Sequence, residues 1–184
     1  MADRPDGPPR AILIGALSVA VLAVLAVVAV AAIHGRGEPQ SPVAIAAVPA
    51  PAAGSPDCAK LLAALPNRLG DYDRATPADP APPGTAAWQA NSGGEPVVLR
   101  CGLDRPIDFV VGAPIQIVNA VQWFSVTDPA SGPDNGRSTW FTVDRPVYVA
   151  LTLPPGSGPT PIQQLSDVVD AALPATPINP GPPH

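Results

Sequence analysis

Val97-Val98-Leu99-Arg100-Cys101, closed by Gly102, is a short run rich in β-branched residues, and it reads as a strand that ends at a turn. Downstream the same kind of pattern repeats. Ile115 and Ile117 alternate with Gln116 and Val118, which suits a half-buried strand. Val121 to Val126 forms another around Trp123 and Phe124, and Thr139 to Val143 and Val147 to Leu153 complete the set. Between them Pro133-Asp134-Asn135-Gly136 offers the Asn-Gly pair that a tight turn needs for positive φ. Two helices bracket these strands. Asp57 is a candidate cap for a helix that presents Leu61, Leu62 and Leu65 and stops at Pro66. Near the other end Thr160, Pro161 and Gln163 have capping-box spacing, and Ile162, Leu165, Val169 and Ala172 follow at helical intervals. Strands joined by short turns between two helices predict an α+β class, with a small antiparallel sheet flanked by the two helices.

Outward from this region the composition changes. All eight aromatic residues lie between Tyr72 and Tyr148, so the overall hydrophobic fraction of 46% overstates the core. Residues 11–33, Ala11 to Ile33, carry no charge and would rise roughly 35 Å as a helix, enough to cross a hydrocarbon core of about 30 Å. They are expected to be a transmembrane helix. The alternative is a cleaved signal, since Ala29-Val30-Ala31 has the small-x-small pattern. Arg4 and Arg10 before this segment, against Arg36 after it, place residues 1–10 in the cytoplasm by the positive-inside rule. Residues 34–56 read as a Pro/Ala-rich linker, 57–173 as an exported domain and 174–184 as a disordered Pro-rich tail. Pro77 to Pro83 reads as an exposed loop. The expectation is a single-pass plasma-membrane protein with its C-terminal domain on the extracytoplasmic side.

In that compartment Cys58 and Cys101 are expected to form a disulfide. A redox pair is the weaker reading, because the two lack Cys-x-x-Cys spacing. Residues 57–173 contain no histidine, which removes Ser-His-Asp and Cys-His arrangements and the common zinc sites. No glycine loop of phosphate-cradling type is present, and no cofactor or metal is expected. Asp128, Asp134 and Asn135 lack the spacing of a calcium loop. Carboxylate pairs remain at Asp71 with Asp73 and at Asp104 with Asp108, and solvated loops explain them more simply than catalysis. The formal net charge of −5 argues against a nucleic-acid partner. Leu103-Asp104-Arg105-Pro106-Ile107 is echoed by Val143-Asp144-Arg145-Pro146-Val147, each before a β-type run. A turn followed by an edge strand explains the echo; presented arginines are the functional alternative. Trp88, Trp123 and Trp140 read first as core packing.

Several of these stretches together, Cys58-Ala59-Lys60-Leu61-Leu62-Ala63-Ala64-Leu65-Pro66, Leu99-Arg100-Cys101-Gly102, Val118-Asn119-Ala120-Val121-Gln122-Trp123 and Asp144-Arg145-Pro146-Val147-Tyr148-Val149, resemble a known group. It is the uncharacterised actinobacterial, mycobacterial-type, domain-of-unknown-function family 3515 of membrane-anchored exported proteins. The resemblance implies a cell-envelope location and no particular chemistry. Two function classes stay open. One is a non-enzymatic binding or scaffolding module that meets an envelope protein or wall polymer through Arg105, Arg145 or Trp88. The other is an envelope enzyme that uses carboxylates on wall polymers.

Overall fold

The computed structural model describes residues 10–34, 41–127 and 136–183. Asp128, Asp134 and Asn135, with most of the expected 133–136 turn, lie outside the described residues. The chain divides into two units, Met1–Pro39 and Gln40–His184. The first holds one helix, α1, Arg10–His34. Its described side chains, from Ile14 to Val28, are all exposed. Among the described residues no helix is long and apolar enough to cross a membrane. This corrects the expected transmembrane helix over 11–33, together with the membrane partner and the single-pass plasma-membrane placement derived from it.

The second unit is built on one eight-stranded sheet, antiparallel at every pairing, with order β1-β2-β3-β4-β8-β7-β6-β5. The strands are β1 Arg68–Leu69, β2 Tyr72–Ala75, β3 Thr85–Ala90, β4 Val97–Leu103, β5 Gln116–Val118, β6 Val121–Thr127, β7 Ser138–Thr142 and β8 Tyr148–Leu153. The sheet is larger than the small one expected, because β1, β2 and β3 extend it beyond β4. The two helices do not flank it. Helix α2, Pro56–Ala64, and helix α3, Thr160–Ala172, pack into one cluster on a single face.

Local chemistry sets the ends of both helices. Ser55, not Asp57, caps α2: its Oγ accepts from the Cys58 N–H at 3.2 Å, and Pro56 occupies the first turn, where a missing N–H costs nothing. Asp57 then lies in that first turn, favourably placed against the helix dipole. Helix α3 begins with Pro159 at its cap position and no side-chain capping bond, so the expected capping role of Thr160 is corrected as well. Along α3, Ile162, Leu165, Val169 and Ala172 are buried, as an apolar stripe at helical spacing requires. They meet Trp88, Val97, Leu99, Trp123, Val149 and Leu151, all fully buried on the facing side of the sheet. Each such side chain contributes about 1.5–3 kcal/mol by leaving water. A polar cross-link in this layer joins Trp123 Nε1, which donates at 3.0 Å to Ser166 Oγ; that hydroxyl donates onward to the Ile162 carbonyl at 2.8 Å.

Among the described residues of this unit, no helix packs on the opposite face. Two irregular straps lie over it instead, and both overturn expectations drawn from their proline content. Residues 43–53, expected as linker, run along β4. Val43 and Ile45 are buried with Val98, Ala75 and Ala87. The Val43 N–H donates to Thr76 O at 2.9 Å, and the Ala78 N–H donates to Val43 O at 2.8 Å. These bonds also tie the start of the expected exposed loop at Pro77 to Pro83, since Val43 bridges Pro77. Farther on, the Ala52 N–H donates to Gly102 O at 3.0 Å. Gly102 has φ of +87°, and a Cβ there would strike the Ala52 and Ala53 backbone, so only glycine lets the strap sit this close. The second strap is the tail. Thr176 N–H donates to Asp144 O at 2.9 Å, Gly181 N–H to Phe109 O at 2.8 Å, and Val111 N–H to Gly181 O at 2.9 Å. Residues 174–183 are therefore bound to the domain and not a disordered tail. Proline removes a donor at its own position and leaves its neighbours free to bond.

Candidate functional site

Beside the first strap a cleft of about 860 Å³ opens on the strap-side face, a size typical of small-molecule sites. Its floor comes from three neighbouring strands. Strand side chains alternate between faces, so while Leu99 and Cys101 of β4 point to the helices, Arg100 points to the other side with Val98. Arg100 lies opposite Ala150 of β8, which lies opposite Phe141 of β7. One step along, Thr152 lies opposite Thr139, and their hydroxyls are 3.1 Å apart. Val48 and Pro49 of the first strap, with Leu103, Asp104 and Ile107 after β4, form the walls, and Arg137 stands at the hydroxyl end. A second recess of about 200 Å³, floored by Val98 and Thr152, shares Arg100 and Arg137 with the cleft.

Arg100 is the unusual group. Its Nη2 donates to Ala46 O at 3.4 Å, a long bond, while Nε is buried and has no hydrogen-bond partner. No ion pair among the described residues includes it. Burial lowers its pKa, and the like charge of Arg137 lowers it further. A guanidinium stays charged under such conditions, so the shift marks a desolvated cation that lacks compensation. Arg137 is less exposed to that cost: its Nη2 is 2.8 Å from Glu95 Oε2, and both side chains are about half exposed.

The residues singled out from the sequence fall in different places. Cys58 and Cys101 form the expected disulfide, with Cα atoms 5.7 Å apart, inside the helix-side core. Arg105 is exposed, and its Nη1 reaches Asn179 O at 3.5 Å. Arg145 is not available as a partner-binding group. Its side chain is 0% exposed, with Nη1 2.9 Å from Asp144 Oδ2 and Nη2 2.9 Å from Asp170 Oδ1. Nη2 also donates to Ala120 O at 3.0 Å. Trp88 is 0% exposed too: its Nε1 donates to Pro66 O at 3.0 Å, and the Arg74 guanidinium stacks 4.8 Å from its ring centre. The three residues are therefore not one surface, and the echoed motifs have different fates.

Nor do the four candidate carboxylates converge. Asp73 sits 3.6 Å from Arg68 Nε and accepts from Asn91 Nδ2 at 2.8 Å, and of the four only Asp104 lines the cleft. Among the described residues no group of three or more His, Cys, Asp or Glu side chains is placed to hold a metal. The residues missed from sequence are Arg100, Arg137 and the Thr139–Thr152 pair. For Arg100 a signal exists, since the alternation that buries Leu99 and Cys101 puts a charge on the same face as Val98. Arg137 carries no such signal; its place depends on how β7 pairs with β8.

The chain matches, over residues 17–178, the family described as Protein of unknown function (DUF3515), and so belongs to it. The match spans the disulfide and every residue of the cleft. No curated protein matches the chain, and no solved structure does.

Proposed function

We propose that this protein is a non-enzymatic binding module that works in an oxidising, extracytoplasmic compartment and takes a small acidic ligand in the cleft at Arg100. Arg100 carries this reading: its half-buried guanidinium lines the cleft and joins no ion pair among the described residues, a cost in free energy that an anion in the cleft would recover. The Cys58–Cys101 bond supports the compartment in this reading, since such bonds persist where the environment is oxidising. Binding is favoured over catalysis because the cleft holds one carboxylate, Asp104, and no histidine.

The test is an NMR titration of the ¹⁵N-labelled full chain with acetate and with phosphate, following the Arg side-chain Nε–H signals. The Arg100 signal, assigned by its loss in Arg100→Met, should move on titration while the Arg145 signal does not. If every arginine signal stays still, or all move together, the assignment of the cleft as an anion site is wrong.

A further inference from the structure

We infer that the cleft takes an alkyl-chain carboxylate, its head held by Arg100 and its chain lying along β7 and β8 toward Leu103 and Ile107. This rests on the anion reading above and adds the chemical class of the ligand.

The floor is polarised along the strands. At one end stand Arg137 and the paired hydroxyls of Thr139 and Thr152; Arg100 rises from the next row, opposite Ala150, and shares a recess with Arg137 and Thr152. At the other end the lining is Phe141, Ala150, Leu103 and Ile107, with Asp104 the one charged group among them. From Thr152 to Tyr148, the residue opposite Leu103, β8 advances about 13 Å, so one extended molecule can meet both ends. The apolar end is also left open to water. Ile107 is 80% exposed and Val48 44% exposed, although neighbouring apolar residues on the same face are buried in clusters. Exposed aliphatic side chains at the mouth of a cleft mark a surface that an apolar partner covers.

The head group follows from Arg100. Its guanidinium lines both the cleft and the recess and joins no ion pair among the described residues, and the planar fork of such a group matches the two oxygens of a carboxylate. The adjoining recess of about 200 Å³ gives a small head room next to both arginines. Asp104 fixes the orientation, because its charge at the apolar end repels a carboxylate placed the other way round. An acidic polymer or peptide would instead meet alternating charge, and Asp104 works against it.

The experiment is isothermal titration of the full chain with decanoate below its micelle concentration, alongside acetate, decanol and decyl phosphate. Decanoate should bind one per chain, with acetate roughly 100-fold weaker because its methyl buries almost no apolar surface. Decanol should bind at least about 10-fold more weakly than decanoate, and Arg100→Met should cost decanoate about 10- to 100-fold. Ile107→Asp alters an exposed side chain outside the sheet, so it tests the chain end even if the Arg100 variant does not fold. It should weaken decanoate by at least about 10-fold, and by clearly more than it weakens acetate. Acetate equal to decanoate would overturn the alkyl chain and leave the anion site standing. Decyl phosphate tighter than decanoate would overturn the carboxylate head. Decanol equal to decanoate, or full decanoate affinity in a folded Arg100 variant, would overturn both this inference and the anion site.

Discussion

Replacing Arg145 by Ala should be among the most damaging single changes in the domain. The guanidinium is closed off from solvent and touches two carboxylates and two carbonyls: Asp144 Oδ2 at 2.9 Å, Asp170 Oδ1 at 2.9 Å, Asp144 O at 3.0 Å and Ala120 O at 3.0 Å. Asp170 is half exposed and recovers its bond from water, so little is lost there. Asp144 is 4% exposed and cannot. Without Arg145 it keeps only the Gln122 N–H, 3.1 Å from Oδ2, while its Oδ1 already lacks a partner. Leaving one member of a buried pair unpaired costs about 3–5 kcal/mol, a large share of the roughly 5–15 kcal/mol by which ordinary domains are stable. In urea, with a slope of about 2 kcal/mol per molar, the unfolding midpoint should fall by roughly 2 M. Fluorescence of the buried Trp88 and Trp123 reports the transition. Arg145→Ala with Asp144→Ala should cost less than the two single losses added, by about 0.5–3 kcal/mol. A loss below about 1 kcal/mol for Arg145→Ala, or strict additivity, would refute the idea that this arginine holds the Asp144 turn in place.

Three further outcomes are expected. Replacing both Cys58 and Cys101 by Ser should cost about 4 kcal/mol by the chain-entropy relation for a 43-residue separation, measured by the same urea unfolding; a change under about 1 kcal/mol would mean the unfolded chain is already confined. Ser166→Ala should cost about 1–3 kcal/mol, since it leaves the Trp123 Nε1–H buried without an acceptor, and calorimetry should record a lower Tm. Gly102→Ala should push the first strap off β4, so that hydrogen exchange at the Ala52 N–H speeds up while exchange within α3 stays unchanged; an unaltered rate at Ala52 would mean the strap is held from elsewhere.

How far the fold is legible in the sequence depends on where the signal is local. Strands β4 to β8 and helix α3 carry their own periodicity, because an element that buries one face must space its apolar residues to match. Strands β2 and β3 do not. Tyr72–Ala75 and Thr85–Ala90 are short, with three alanines in β3, and alanine has no preference for strands. They are strands because β4 offers an edge and because Ala86, Ala87 and Trp88 fill space under α2 and the first strap, which is tertiary information. Both straps mislead for the opposite reason. Proline is rare in ladders, so Pro-rich sequence suggests free chain, yet the bonds at Val43, Ala52, Thr176 and Gly181, with the burial of Val43 and Ile45, dock it. Echoed Asp-Arg-Pro triplets mislead too, since whether an arginine is presented or interred depends on what packs over it. For Arg145 that is Asp170 of α3; for Arg105 it is the carbonyl of Asn179 in the tail. The cleft is half legible, through Arg100 alone.

The straps also decide where this protein can be cut. A truncation guided by regular secondary structure would keep 56–172 and discard Val43, Ile45 and Gly181 as dispensable ends. Such a fragment retains the disulfide and the helix-side core apart from Leu173, so it is expected to pass a test for foldedness. It would also lose Val48 and Pro49 from the cleft wall, the Ala46 acceptor of Arg100 and the carbonyl that holds Arg105. The smallest portion able to report on ligand is therefore about 41–183, and a silent result from anything shorter would measure the missing walls.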